Sequence, residues 1–350
     1  MNIYKILCFI MLSILILSCK DDINETKKIF SIDTSKMKQA YTPLEKIEVA
    51  VSNPDQKKID SVVYYLNDIK KEKTIKNGKT SIKLVNQSLG YTKLKAVVFF
   101  EGKIDEAETN FTIYALNEPK LLKYKIINSF YHDLNSYTQG YEFYGNILME
   151  GSGQYGKSSL RKTDYKTGKI IEKIDLDNAT FGEGITILND KIYQLTWKEN
   201  KVYVYNAKNL KLIKTMPYFK KIEGWGLTND GTYLYMSDGS EKIYKLNPET
   251  FEMISYINVY SNANKIEFIN ELEWINGKIW ANIYQKDVII VIDPKTGSLE
   301  YIINLTELKS KVTNTLQDGE VLNGIAYNPI SKTILVTGKN WDSSFEIQVE

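Results

Sequence analysis

The chain is short of the residues that build metal and thiol sites. Its 350 residues include one histidine, His132, and two cysteines, Cys8 and Cys19, both near the N-terminus. The rest of the sequence therefore has neither a disulfide nor thiol chemistry. A catalytic zinc site usually takes at least one histidine and more often two or three. We therefore predict that His132 is a surface or packing residue rather than a ligand.

An excess of one charge and a high proline content are also absent. The 45 Lys and Arg residues nearly balance the 43 Asp and Glu residues, so no strongly basic face indicates a nucleic-acid partner. Seven prolines and 25 tyrosines favour β-strands over disordered polar sequence, because aromatic side chains suit a pleated, half-buried surface. The length allows two domains and a sizeable core.

The first residues have the pattern of an export signal. A short positive start, the apolar run "ILCFIMLSILILS" and Ser18 before Cys19 resemble a bacterial lipoprotein signal, cleaved before Cys19 and lipid-modified on that cysteine. The "KDD" that follows resembles the surface-export signal of lipoproteins in the Bacteroidota. We predict a signal peptide over 1–18, a tether over 19–29 and an outer-membrane lipoprotein facing the periplasm or the cell surface. An uncleaved anchor helix is the alternative.

Residues 30–116 contain short β runs separated by turn residues. The runs are "KIEVAVS" (46–52), "SVVYYLN" (61–67), "TSIKLVN" (80–86), "KLKAVVFFEG" (93–102) and "AETNFTIYAL" (107–116). Five or six strands in this length predict a small antiparallel β-sandwich of immunoglobulin type. The segment shows no catalytic constellation, so we predict a spacer or interaction module.

Residues 121–350 contain an internal repeat. The repeated motif is a variable residue, usually a glycine, an apolar residue and often Thr or Ala. It occurs as "QGYE" (139–142), "EGIT" (183–186), "WGLT" (225–228), "NELE" (270–273) and "NGIA" (323–326), at spacings of 44, 42, 45 and 53 residues. A short helix expected within 305–320 accounts for the longest spacing.

Each unit continues as a strand, a turn and a second strand, and further strands follow in pairs. Four strands in about 45 residues are typical of a β-propeller blade. Helical solenoids have similar periods, but the alternation here has period two. We therefore predict an all-β chain in which a five-bladed β-propeller follows the sandwich.

The first motif residues of the five units should form a ring, because the first strand of every blade lines the central channel. This inner ring is Gln139, Glu183, Trp225, Asn270 and Asn323. The residues that end the second strands are predicted to form an outer wall around the same mouth; they are Trp197, Asp238, Tyr284 and Lys339. Such a pocket suits binding a small polar group and moving protons. Taken singly, each residue also has an ordinary interpretation, as a solvated acid, a core tryptophan or an exposed lysine.

Nine motifs resemble, in order, the glutaminyl-peptide cyclotransferases of the plant and bacterial type. They are "YTQG" (137–140), "EGSGQYGKSSLR" (150–161), "FGEGIT" (181–186), "LTW" (195–197), "GWGLTNDG" (224–231), "MSDGS" (236–240), "NELEWINGKIWAN" (270–282), "LNGIAYN" (322–328) and "TGKNW" (337–341). The resemblance covers about residues 125 to 350 and leaves out the sandwich. It implies a five-bladed propeller that cyclises an N-terminal glutaminyl residue of a peptide or protein to 5-oxoproline and releases ammonia.

The resemblance also carries residue roles. The functional positions of the family fall on Gln139, Glu183, Trp197, Trp225, Asn270 and Lys339, with Tyr137 where the family usually has Phe and Tyr284 where it has Trp. With the inner ring, this predicts catalytic roles for Glu183, Gln139, Asn270 and Lys339. Substrate-binding roles are predicted for Tyr137, Trp197, Trp225, Tyr284 and Asn323.

The predicted reaction needs one group that both takes and gives a proton. The α-amine must be neutral to attack the γ-carboxamide carbon, and the leaving nitrogen must gain a proton. Glu183 can do both if a partly dry, aromatic-walled pocket raises its pKa toward neutrality. Gln139 and Asn270, with Lys339 nearby, would hold the substrate carbonyls and stabilise the developing oxyanion.

The predicted scheme is that of a monomeric acyltransferase that requires no cofactor or metal. Members of the family can carry a structural calcium ion, whose ligands the sequence does not identify. Two other functions stay open at this point. One is a non-catalytic surface propeller that binds peptides or glycans. The other is a propeller hydrolase or lactonase, which usually needs several calcium-binding carboxylates around the channel, whereas the inner ring has one acid.

Overall fold

The computed structural model describes residues 28–76 and 78–350. The predicted signal peptide, Cys19 and most of the tether lie outside this range. Within it the structure is all-β, as predicted, and its one helix, Thr306–Lys309, falls in the segment where the sequence predicted one. In this part of the chain no helix has the length and apolar character needed to span a membrane.

The N-terminal region builds a five-stranded sheet and two short strand pairs around one core. Its strands are Ser31–Ile32 (β1), Ala40–Tyr41 (β2), Lys46–Val49 (β3), Val51–Ser52 (β4), Ile59–Leu66 (β5), Ile69–Ile75 (β6), Thr80–Lys83 (β7), Gly90–Phe100 (β8) and Lys103–Ile113 (β9). The large sheet has the order β2-β9-β8-β5-β6, and β1 pairs with β4 and β3 with β7. Ile47 and Ile82 of the β3-β7 pair pack into the same core as Leu94 and Phe111 of the large sheet. β6 was missed because "IKKEKTI" lacks an apolar alternation.

Residues 120–350 form five sheets, four of them with four strands and one with five. The strands are Lys120–Leu122 (β10), Tyr124–Tyr131 (β11), Thr138–Tyr144 (β12), Ile147–Ser152 (β13), Ser159–Asp164 (β14), Lys169–Asp175 (β15), Gly182–Leu188 (β16), Lys191–Thr196 (β17), Lys201–Asn206 (β18), Leu212–Pro217 (β19), Leu227–Asn229 (β20), Leu234–Ser237 (β21), Lys242–Leu246 (β22), Met253–Asn258 (β23), Ile269–Ile275 (β24), Lys278–Ile283 (β25), Val288–Ile292 (β26), Leu299–Asn304 (β27), Leu322–Asn328 (β28), Thr333–Gly338 (β29) and Ser343–Val349 (β30).

The first strands of these sheets lie innermost. Four sheets run in chain order, from β12 to β15, β16 to β19, β20 to β23 and β24 to β27, with β10 added in parallel to β27. The inner strands β12, β16, β20, β24 and β28 each contact the next, and β28 also contacts β12. The inner strands therefore close a ring.

The fifth sheet is completed from the opposite end of the region. Only three strands follow the last motif, and β11 supplies the fourth by pairing antiparallel with β30, so that Tyr131 lies opposite Ser343 and Tyr124 opposite Val349. The repeat pattern did not reveal this exchange, because strand pairing between the two ends of the region leaves no local signal in either segment.

The repeated motif marks a β-bulge at the start of four inner strands. The strand register shifts between Thr138 and Gly140, Gly182 and Ile185, Ile269 and Leu272, and Leu322 and Ile325. A bulge re-aims a side chain and increases the local twist. The motif glycines are needed for close approach of neighbouring strands: a Cβ on Gly184 would lie 2.6 Å from the Trp225 carbonyl oxygen, and one on Gly226 only 1.9 Å from that of Asn270. The motif thus specifies both the bulge that redirects the first motif side chain and the glycine that allows neighbouring inner strands to approach closely.

The N-terminal region packs on the loop that follows β23. The Tyr260 side chain belongs to the N-terminal core. Ala115 donates its backbone N–H to the Ser261 carbonyl (3.0 Å), and the Asn258 amide donates to the Leu89 carbonyl (2.7 Å). Gly90 allows the contact, since a Cβ there would meet the Tyr260 ring at 2.8 Å.

Candidate active site

The predicted site residues meet in one cavity of about 230 Å³ at one end of the ring. Its lining is Tyr137, Gln139, Phe181, Glu183, Trp197, Trp225, Asn270, Tyr284 and Lys339. Drug-sized ligands usually occupy roughly 300 to 1,000 Å³, so this volume suits a single terminal residue of a peptide. Of the nine residues given catalytic or substrate-binding roles from the sequence, eight are in the lining; the ninth, Asn323, donates a hydrogen bond to Gln139 instead.

The inner positions come from the starts of the inner strands. Gln139, Glu183, Asn270 and Asn323 are each the second residue of their strand, within or beside the bulge. All four are buried. The repeat therefore predicted their convergence correctly, because the same bulge turns equivalent side chains toward the same mouth.

The outer positions come from the ends of the second strands. Trp197, Tyr284 and Lys339 directly follow β17, β25 and β29. Each second strand pairs antiparallel with its inner strand, which places its end beside the inner strand's start: Gly182 lies opposite Thr196, and Leu322 opposite Gly338.

Asp238 holds the equivalent position after β21 but does not line the cavity, so its predicted place in the wall was wrong. Its carboxylate instead accepts hydrogen bonds from the Ser240 backbone N–H (3.1 Å) and the Tyr244 hydroxyl (2.8 Å). The Trp225 indole fills this side of the mouth and lies so close to Gly239 that a Cβ there would be 2.7 Å from the ring.

The glutamate at the centre of the site is held by a chain of amides. Gln139 donates from Nε2 to Glu183 Oε1 (3.0 Å) and accepts at Oε1 from Asn323 Nδ2 (3.2 Å). Asn323 Nδ2 also donates to the Thr138 carbonyl (2.9 Å). Since an amide nitrogen only donates, this chain fixes the Gln139 amide with its NH2 group toward the carboxylate.

Burial shifts the two charged groups of the cavity in opposite directions. It raises the pKa of Glu183 well above its ordinary value, against the opposing field of Lys339, and Glu223 and Glu199 raise that pKa further. Burial lowers the pKa of Lys339 to about 8, with Glu183 opposing. Burial thus makes the carboxyl group of Glu183 a stronger base and the ammonium of Lys339 a stronger acid than the free side chains, as proton exchange with a substrate requires.

Aromatic rings enclose these two groups. Lys339 Nζ lies 4.8 Å from the ring centroid of Tyr137 and 5.2 Å from that of Tyr284, which is a cation–π arrangement. Trp225 meets Tyr284 edge to face, with centroids 5.8 Å apart and planes at 81°. Tyr137 is fixed by its hydroxyl, which donates to the Gly319 carbonyl (3.2 Å).

Phe181 and Glu223 were missed as site residues. The Phe181 ring lies 5.4 Å from that of Trp197, centroid to centroid, and completes the wall. Glu223 accepts hydrogen bonds from the indole N–H groups of Trp197 and Trp225. Both residues lie two positions before a motif residue, which is the signal that could have found them.

Three further glutamates lie along the ring, beyond the mouth. Glu271 accepts from the backbone N–H groups of Tyr141 (3.2 Å) and Ile325 (3.0 Å), Glu273 from that of Tyr327 and Glu142 from that of Ile187. Inner strands are sheet edges with unpaired N–H groups, and these carboxylates satisfy some of them. Burial raises the pKa of each of the three acids.

The remaining predictions about metal ligands concern His132 and calcium. His132 is buried, with Nδ1 donating to the Trp341 carbonyl (2.7 Å) and Nε2 facing Glu150 Oε1 at 3.0 Å, so it is a packing residue. Across residues 28–76 and 78–350, no group of three or more His, Cys, Asp or Glu side chains is placed to hold a metal ion. A structural calcium ion stays a prediction without a ligand set.

Comparison with known proteins gives consistent matches. A sequence profile of the family described as glutamine cyclotransferase matches residues 94–349, which include every residue that lines the cavity. A glutaminyl-peptide cyclotransferase of Arabidopsis thaliana is 38% identical over 228 residues, covering 65% of this chain and 71% of that protein. The crystal structure of Myxococcus xanthus glutaminyl cyclase matches with a TM-score of 0.63 and 31% identity, covering 67% of this chain and 99% of that one. The resemblance of the nine motifs is thereby confirmed, and the chain belongs to the glutamine cyclotransferase family.

Proposed function

We propose that this protein is a glutaminyl-peptide cyclotransferase, which converts the N-terminal glutaminyl residue of a peptide or protein to 5-oxoproline and releases ammonia. The observation that carries the proposal is Glu183. It is the one carboxylate among the cavity-lining residues, it is held by Gln139, and burial raises its pKa. Both matched proteins are named for this activity, and neither supports a non-catalytic peptide or glycan binder.

The reaction is an intramolecular acyl transfer. The neutral α-amine of the substrate attacks the carbonyl carbon of its own γ-carboxamide, and a carbon–nitrogen bond forms. Glu183 takes a proton from the attacking nitrogen and delivers it to the original amide nitrogen, whose bond to carbon then breaks as ammonia leaves. Glu183 ends in the state in which it began, so no other acid or base is consumed.

Other lining residues stabilise and hold the reacting atoms. The Asn270 amide lies in the cavity wall, and Lys339 brings its ammonium to the same space; both can donate to the γ-carbonyl oxygen as it becomes an oxyanion. The aromatic walls exclude water and hold the amine and carboxamide in a cyclisation geometry, which lowers the entropic part of the barrier. The scheme requires no metal or cofactor.

The fold and location that we propose extend beyond the active site. Five sheets of four or five strands, whose inner strands close a ring, support a five-bladed propeller over 121–350, and the N-terminal strands support an immunoglobulin-like sandwich over 30–116. Export as a monomeric lipoprotein attached through Cys19 to the outer membrane is proposed from the sequence alone.

The test is ammonia release from a dipeptide that begins with Gln, by the purified protein and by its Glu183→Gln variant. We expect the variant to lose a factor of about 10² to 10⁴ in kcat. Glu249→Gln, which changes an exposed acid in the turn between β22 and β23, should match the wild type. No release by the wild type would overturn the proposed function, and equal release by Glu183→Gln would leave cyclisation in place but remove Glu183 from its role.

A further inference from the structure

Glu223 connects two walls of the cavity without lining it. Its Oε2 atom accepts hydrogen bonds from Trp197 Nε1 (2.8 Å) and from Trp225 Nε1 (3.1 Å). Trp197 follows β17 of one sheet, whereas Trp225 precedes β20 of the next. One carboxylate oxygen therefore couples two sheets at the mouth of the site.

The second oxygen of the carboxylate faces a lysine. Lys198 Nζ lies 3.6 Å from Glu223 Oε1 and also 3.6 Å above the ring centroid of Trp197. This ion pair contributes little by itself, because the two side chains are 53% and 39% exposed. With Oε1 on the side of Lys198, Oε2 is the oxygen that faces the two indoles.

The indole bonds are more constraining than the ion pair. The indole N–H is the single hydrogen-bond donor of a tryptophan side chain, and here both donors share one acceptor. Their rings then contact the remaining walls, Trp197 against Phe181 and Trp225 against Tyr284. The position of Glu223 thus sets the width of the cavity between aromatic surfaces on either side.

We propose that Glu223 is a positioning residue that holds Trp197 and Trp225 at the separation that fits a glutaminyl side chain. It acts through the two indoles and makes no contact with substrate. The consequence is a contribution to substrate binding, and therefore to KM more than to kcat. This inference rests on the proposed function for its kinetic part, whereas the geometry of the two indoles can be measured independently.

A charge effect on Glu183 is the competing role of Glu223, and two substitutions separate the two roles. Glu223→Gln removes the charge but keeps a carbonyl oxygen with two lone pairs, which can accept from both indoles. Glu223→Leu removes both the charge and the acceptor. Positioning predicts that the Gln variant stays within about threefold of wild-type KM, and that the Leu variant raises KM roughly tenfold with a smaller loss of kcat.

Glu199 offers a matched control for charge. It also raises the pKa of Glu183, but its carboxylate contacts the Phe181 backbone N–H and the Tyr155 hydroxyl rather than an indole. Glu199→Gln and Glu223→Gln should therefore shift the pH profile of kcat/KM in the same direction, toward lower pH. A rise in KM for Glu223→Gln as large as that for Glu223→Leu would overturn the positioning role.

The geometry itself is read from the indole N–H signals of the five tryptophans in a proton–nitrogen NMR spectrum, assigned with single Trp→Phe variants. In Glu223→Leu, the Trp197 and Trp225 signals should move and exchange faster with solvent, while the other three stay in place and report an intact fold. In Glu223→Gln all five should stay protected. Unchanged Trp197 and Trp225 signals in Glu223→Leu would overturn the inference, whatever the activity. If the Leu variant does not fold, Glu223→Ala makes the same comparison. Absence of ammonia release by the wild type would instead count against the proposed function.

Discussion

The two charged groups at the centre of the site, Glu183 and Lys339, lead to a prediction for the variant Lys339→Met. Lys339 is 4% exposed, and its field is the largest influence that holds down the pKa of Glu183 against burial. Removing the ammonium leaves burial unopposed, so the pKa of Glu183 rises further. Because the reaction uses the carboxylate form as the base, the acid limb of the kcat/KM profile should move to higher pH.

The direction of this shift follows from the charges around Glu183. Lys339 and Glu183 line the same cavity, and the ammonium is the charge that favours the ionised carboxylate against burial. Without the ammonium, burial and the negative charges of Glu223 and Glu199 all raise the pKa of Glu183. The plateau of the kcat/KM profile should also fall by a factor of roughly 10², because one donor to the oxyanion is lost.

The measurement is kcat/KM for ammonia release as a function of pH, for the wild type, Lys339→Met and Lys286→Met. Lys286 is exposed on the loop beside Tyr284, so its variant should retain the wild-type profile. The α-amine of the substrate has a pKa of about 8 and contributes equally to all three profiles, so the difference between them is what counts. The wild type should also lose activity above about pH 8 as Lys339 loses its proton, and this basic limb should disappear in Lys339→Met. An acid limb that stays in place or moves to lower pH would refute the coupling.

Three other outcomes follow from the structure. Gly226→Ala should destabilise the fold by about 3 kcal/mol, because its Cβ would lie 1.9 Å from a backbone carbonyl of the next inner strand; Gly78→Ala, whose Cβ has ordinary contacts, is the control in urea unfolding. Burial raises the pKa values of Glu142 and Glu273 above the unfolded value of 4.5. The contribution of these two protonated side chains to stability is therefore fully present below about pH 4.5, and it is lost as pH rises through their pKa values in the folded state. The free energy of unfolding of the wild type should then fall between about pH 5 and pH 8, and that of Glu142→Gln should fall less steeply over the same range. Equal slopes for the two proteins would contradict this reasoning. Tyr284→Phe, which keeps the ring beside Trp225 and loses a hydroxyl, should stay within about threefold of wild-type KM, whereas Tyr284→Ala should raise KM roughly tenfold or more.

Much of the candidate site could be predicted because it repeats along the chain. Gln139, Glu183 and Asn270 were located by motif position alone, since the same bulge turns each of them into the mouth. The same reasoning failed at Asp238, where the bulky Trp225 indole occupies the equivalent space. Equivalent positions in a repeat predict where the backbone of each residue lies. The volumes of the neighbouring side chains decide which of the equivalent residues line the cavity.

Other features had no signal in the sequence, because they join residues far apart in the chain. Glu271 stands where all four of the other motifs have glycine, and its carboxylate accepts hydrogen bonds from the N–H groups of two other inner strands. An isolated strand pattern does not show which edge groups lack a partner. The pairing of β11 with β30 is of the same kind, since it links segments more than 200 residues apart.

The sequence by itself determined the all-β class, the fivefold repeat and most of the residue types that meet at the mouth, because period-two alternation, turn residues and a glycine motif are local properties. Only the tertiary structure decided how the ring closes, which carboxylates satisfy its inner edges and how Glu223 joins Trp197 to Trp225. It also decided the protonation of the site: Glu183 and Lys339 have ordinary pKa values as free side chains, and burial in a shared cavity moves them toward each other.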